Sequence, residues 1–80
     1  MWNGMEHPEL DRLRSKFEDA LQRWVAAIQR EQELLATTTH SARSEDVWRQ
    51  ADFEQEDAHN AAKKAKQEYE DAVRQANFGF

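Results

Sequence analysis

From Glu9 to Phe78 the chain contains neither glycine nor proline, and that uninterrupted stretch restricts the fold more than any other feature. Sheet proteins need turns at short intervals, and turns draw on the residues missing here. Alanine, glutamate, glutamine, arginine and lysine fill the stretch instead, a composition suited to long helices bathed in solvent. No apolar run is long enough to cross a bilayer, and Met1 to Glu9 lacks the basic and apolar regions of a leader. The expectation is an all-α domain in the cytoplasm.

Pro8 suits the first helical position, with His7 as the cap and with Glu9 and Asp11 complementing the positive helix N-terminus. From there Leu10, Leu13, Phe17, Ala20, Trp24, Ala27, Glu31 and Leu34 recur at alternating steps of three and four, the seam of a coiled coil. Leu21, Val25, Ile28 and Leu35 run beside that seam and make the apolar face wider than one neighbouring helix needs. A second seam consists of Trp48, Ala51, Gln55, Ala58, Ala62, Ala65, Tyr69, Ala72 and Ala76, and most of it is small.

Between the two seams, the run from Thr37 to Arg43 brings together β-branched and hydroxyl residues, which lose side-chain freedom in a helix or compete for its backbone hydrogen bonds. Ser44, Glu45 and Asp46 then read as a cap followed by first-turn carboxylates. One continuous rod is the rival, and phase argues against it. Carried through the turn, the first repeat puts Thr38, Glu45 and Asp52 where the second has Trp48 and Gln55, an offset of three residues. The expected architecture is one domain over residues 1–80: helix 8–36, turn 37–43, helix 44–77 and an aromatic tail 78–80. Folding back sets Trp24 near Ala58 to Ala62, Phe17 near Ala65 to Tyr69, and Leu34 near Ala51. The core expected from this register is Leu13, Phe17, Leu21, Trp24, Ile28, Leu34, Trp48, Ala58, Ala62, Ala65, Tyr69 and Val73. At 80 residues such a hairpin has little core of its own, so dimerisation into a four-helix bundle is expected to complete it.

Cysteine is absent, which removes disulfide frameworks, thiolate zinc sites and a cysteine nucleophile. The formal net charge of −5 repels phosphate backbones and anionic membranes, so nucleic acid is disfavoured as a partner. No serine, histidine and acid converge in this hairpin, and no glycine-rich loop is present to cradle a phosphate. The expected function is therefore non-enzymatic and cofactor-free: a structural or adaptor module that binds itself or another helical protein.

Leu21, Val25, Ile28 and Leu35 are the first candidates for that contact. Phe53 lies away from the alanine seam, and Trp2, Phe78 and Phe80 gather where the hairpin brings the termini together; exposed aromatics of this kind often anchor interfaces. The acidic stretch from Glu45 to Asp57 precedes Lys63, Lys64 and Lys66, a polarity that suits antiparallel self-pairing, although a solvated face is the simpler account. A different class of reading rests on Glu56 and His59, a Glu-x-x-His step. Two such steps, joined by Glu31 from each first helix of a dimer, resemble the iron or other divalent-metal sites of ferritin-like bundles. Four-residue matches are common in a chain with 16 acidic residues, so the metal reading is the alternative and not the leading one.

Overall fold

The computed structural model describes residues 7–37 and 42–79. Two helices, α1 (Pro8–Thr37) and α2 (Ala42–Phe78), pack against each other as a hairpin. The ends of α1 and α2 follow local chemistry. The His7 carbonyl accepts the Asp11 N–H at 2.9 Å, which makes His7 the residue before the first helical turn. At the other terminus Gly79 takes φ +78° and donates its N–H to the Gln75 carbonyl at 3.0 Å. This left-handed cap suits glycine because it has no Cβ to clash.

Both inner boundaries differ from the sequence expectation. Thr37 belongs to α1, and its hydroxyl donates to the Glu33 carbonyl at 2.8 Å. That bond lets a hydroxyl residue stay helical by satisfying a carbonyl of the last turn. α2 begins at Ala42, so Ser44 is an internal helical residue and not its cap. Ala42 and Arg43 are strong helix formers and extend the element past the expected start.

Packing follows the predicted register. Phe17 and Tyr69 approach with ring centroids 6.5 Å apart, and the Trp24 ring stacks on His59 at 4.1 Å and 10°. Every position of the first seam is buried or half-buried, and so is every position of the second except Ala76. Among the described residues the buried apolar ones are Leu13, Ala51, Ala58, Ala62 and Ala65. Bulky members of the expected core, including Phe17, Leu21, Trp24, Ile28, Trp48 and Val73, are only half-buried. The reason is geometric. In a single layer of two helices a large side chain is covered by its neighbour but open above and below, whereas a methyl group disappears beneath the crossing helix.

The layer is long and thin, 61 × 26 × 12 Å. Its radius of gyration of 18.2 Å exceeds the value of about 12 Å for a compact domain of this length. Helical domains ordinarily set two layers around one core, and only one is present here.

Candidate interaction surface

The two flanks of the seam differ in chemistry. On one, three ion pairs join the helices: Lys16 to Glu68 at 3.2 Å, Arg23 to Asp57 at 3.2 Å and Arg30 to Glu54 at 3.6 Å. The basic partners recur every seven residues, so one position of the repeat supplies all three. Exposed pairs of this kind stabilise by at most about 1 kcal/mol each. Phe53 lies on this flank, 67% exposed, in a shallow groove with Arg23, Arg30, Glu54 and Asp57.

The opposite flank has no interhelical ion pair among the described residues. α1 contributes Leu21, Val25, Ile28 and Leu35 there. Leu21 and Ile28 are half-buried, whereas Val25 is 49% and Leu35 64% exposed. Across the seam, His59, Lys63 and Lys66 of α2 line a groove with Phe17, Leu21 and Trp24. Asp52, Glu56, Lys63, Lys66 and Glu70 form no ion pair in the described structure. The Trp24 Nε1–H is buried and has no hydrogen-bond partner within the chain, a deficit that usually costs about 1–3 kcal/mol.

The expected contact residues therefore separate into groups. Leu21, Val25, Ile28 and Leu35 share one flank, and Phe53 belongs to the other. Phe78 is 67% exposed at the end of α2. Near it, His7 to Leu10 line a cleft with Ala72, Gln75 and Ala76, so the two ends do meet. Trp2 and Phe80 lie outside the described residues, as do most of the predicted turn residues.

The metal candidates are spread out. Glu31 is half-buried at the seam, level with Glu54 through the neighbouring Arg30 ion pair; Glu56 is exposed, and one face of His59 lies against Trp24. Among the described residues of one chain, no three His, Cys, Asp or Glu side chains come together to hold a metal ion. The arrangement across a dimer needs a second copy. The Trp24–His59 stack itself was not foreseen, although the register that set Trp24 near Ala58 to Ala62 already contained it.

All three grooves, of roughly 370, 260 and 320 Å³, are open to solvent. Small-molecule sites of about 300–1,000 Å³ enclose most of their ligand, so these grooves suit a macromolecular contact better. Among the described residues, one pair of groups has a resolved protonation shift. The Arg12 guanidinium, hydrogen-bonded to Glu9 at 2.5 Å, holds that carboxyl below its usual range, and Glu9 raises Arg12 in turn. No described helix is long and apolar enough to cross a membrane. Comparison with protein-family models, curated proteins and solved structures finds no match to this chain.

Proposed function

We propose that the chain is a non-enzymatic, cytoplasmic interaction module, a helical hairpin that works as an oligomer by docking one flank of α1 on a second helical layer. The observation that carries this reading is the line of Leu21, Val25, Ile28 and Leu35 beside an already occupied seam, with Val25 and Leu35 left in solvent. Exposed surface supports it. The chain of 9.4 kDa exposes 6441 Å², whereas a compact monomer of that mass exposes about 5,000 Å². The excess of about 1,400 Å² is more than the roughly 800 Å² that each partner contributes to a standard protein–protein interface.

Light scattering after size-exclusion chromatography tests the reading across a concentration series. The wild-type chain is expected at twice the monomer mass or in a larger complex with a helical partner, and Val25→Asp with Leu35→Asp at the monomer mass. Both positions are exposed in the hairpin, so the double variant keeps its helix content by circular dichroism. An unchanged mass in the double variant refutes the docking role of this flank.

A further inference from the structure

The apolar line beside the α1 seam is itself a seam, displaced by one residue. Every first-seam position from Ala20 to Leu34 is followed directly by a member of the line, as Trp24 is by Val25 and Leu34 by Leu35, and Gln32 after Glu31 fills its one gap. The line therefore keeps the alternating steps of four and three that two wound helices require. One residue turns an α-helix by about 100°, so a helix docked on the line lies roughly a quarter-turn around α1 from α2 and does not displace it. In the heptad of this second seam Leu21, Ile28 and Leu35 occupy the d positions, and Val25 and Gln32 the a positions. Val25, Gln32 and Leu35 are exposed in the hairpin, and Leu21 and Ile28 are half-buried.

We propose that the occupant of this line is α1 of a second copy, wound parallel to α1 and in register about a two-fold axis that runs along the helices. The inference rests on the docking reading above and names its partner. Each residue of the second seam then meets its own copy. In parallel coiled coils a β-branched residue at a with leucine at d favours two strands, and a single polar residue at an a position specifies the register. Gln32 is that residue. Its carboxamide hydrogen-bonds to Gln32 of the second copy in the parallel pair, whereas an antiparallel pair centred on Ile28 sets Gln32 on Val25 and leaves the amide unmatched.

α2 stays out of the contact, as its chemistry demands. Its half of the flank presents Asp52, Glu56, Lys63 and Lys66, none of them in an ion pair. Stacking two whole layers face to face buries these charges, while contact through α1 alone leaves them in water. The two-fold axis sends the two α2 helices to opposite sides of the α1 pair. Toward the N-terminus the next a position is Glu18, and like charges meeting there end the seam. The contact from Leu21 to Leu35 is about 21 Å long and one helix wide, in the class of small interfaces whose association is weak.

The chain has no cysteine, so single cysteines report the geometry by disulfide formation in a glutathione buffer, at concentrations where analytical ultracentrifugation finds the wild type dimeric. Val25→Cys and Gln32→Cys are each expected to cross-link to their own copies, because a disulfide needs Cα atoms within about 7 Å. Asp19→Cys, exposed and off both seams, is expected to cross-link at least about tenfold more slowly. In a mixture of Val25→Cys and Gln32→Cys chains the mixed disulfide stays minor, since the two positions lie about 10 Å apart along a parallel pair. Gln32→Lys repels its own copy and is expected to weaken self-association by at least about tenfold, and an equimolar mixture with Gln32→Glu restores pairing to within about threefold of the wild type. A mixed disulfide that exceeds both self-linked products means antiparallel α1 helices and overturns the parallel seam, as does cross-linking of Val25→Cys without that of Gln32→Cys. If neither cysteine cross-links while Val25→Asp with Leu35→Asp still dissociates the wild-type dimer, the docking flank stands and the parallel pair falls. A wild-type chain that is monomeric at every concentration overturns the second copy as partner.

Discussion

Four alanines, Ala51, Ala58, Ala62 and Ala65, are buried more deeply than any aromatic ring among the described residues, with Ala58 only 2% exposed. They set how closely α1 and α2 approach, so adding volume there forces the helices apart. Ala62→Leu is expected to destabilise the hairpin by about 1–3 kcal/mol in urea unfolding; a more stable variant would contradict the close crossing. Trp24 has the opposite character, a large ring half-covered by His59 with its Nε1–H unsatisfied. Trp24→Ala removes the stack and is expected to cost about 3 kcal/mol, the lower end for a buried tryptophan. Trp24→Phe loses less contact and also removes the orphan donor, so its cost is expected to stay below about 1 kcal/mol. Glu9 gives a pH signature. Its carboxyl is held below the usual value by Arg12, so the stabilisation is complete above the unfolded-state value near 4.5 and is lost as pH falls through the lower folded value. Nuclear magnetic resonance titration of the Glu9 side chain should place its midpoint below the ordinary glutamate range, and Arg12→Ala should return it there.

At the scale of the helices, three ion pairs of one flank connect α1 and α2 in the register of the seam. Arg30→Glu is expected to destabilise the hairpin by at most about 1 kcal/mol, because Arg30 and Glu54 are both substantially exposed. Glu54→Arg in the same chain should recover most of that loss, and a double-mutant cycle measures the coupling directly. A zero coupling would assign the register to the seam alone. Much of this level was legible in sequence. The steps of three and four identified both seams, and the phase offset separated two helices from one rod, because burial on a helix imposes its own period. The helix ends at the turn were less legible, since Thr37 and Ala42 extend the elements through local bonds and propensity that a cluster of hydroxyl residues obscures. The depth of burial was also misjudged. Periodicity marks which side chains face the neighbour, but it carries no information on how many layers cover them. The split between Phe53 and Leu21 was hidden for a related reason: hydrophobicity identifies both, and only the packed register shows that they occupy different flanks.

The whole molecule has a length of 61 Å and a thickness of 12 Å, which leaves the bulky seam residues other than Leu13 only half-covered. Such a layer gains most from a partner that supplies the missing cover, and this gain must appear as a dependence of stability on concentration. For a folded dimer that unfolds to two chains, each tenfold rise in protein concentration stabilises the native state by about 1.4 kcal/mol per dimer. Urea midpoints measured across two decades of concentration are therefore expected to rise steadily in the wild-type chain. Val25→Asp with Leu35→Asp confines the molecule to one layer, so its midpoint should be lower and independent of concentration. The comparison separates two sources of stability that a single melting curve would merge. The alanine crossing between α1 and α2 is unimolecular and survives in the double variant. In the proposed docking, the further burial of Leu21, Val25, Ile28 and Leu35 is bimolecular and is expected to disappear with it. Concentration-independent midpoints in both chains would assign all the stability to the single layer and remove the energetic reason for a second one.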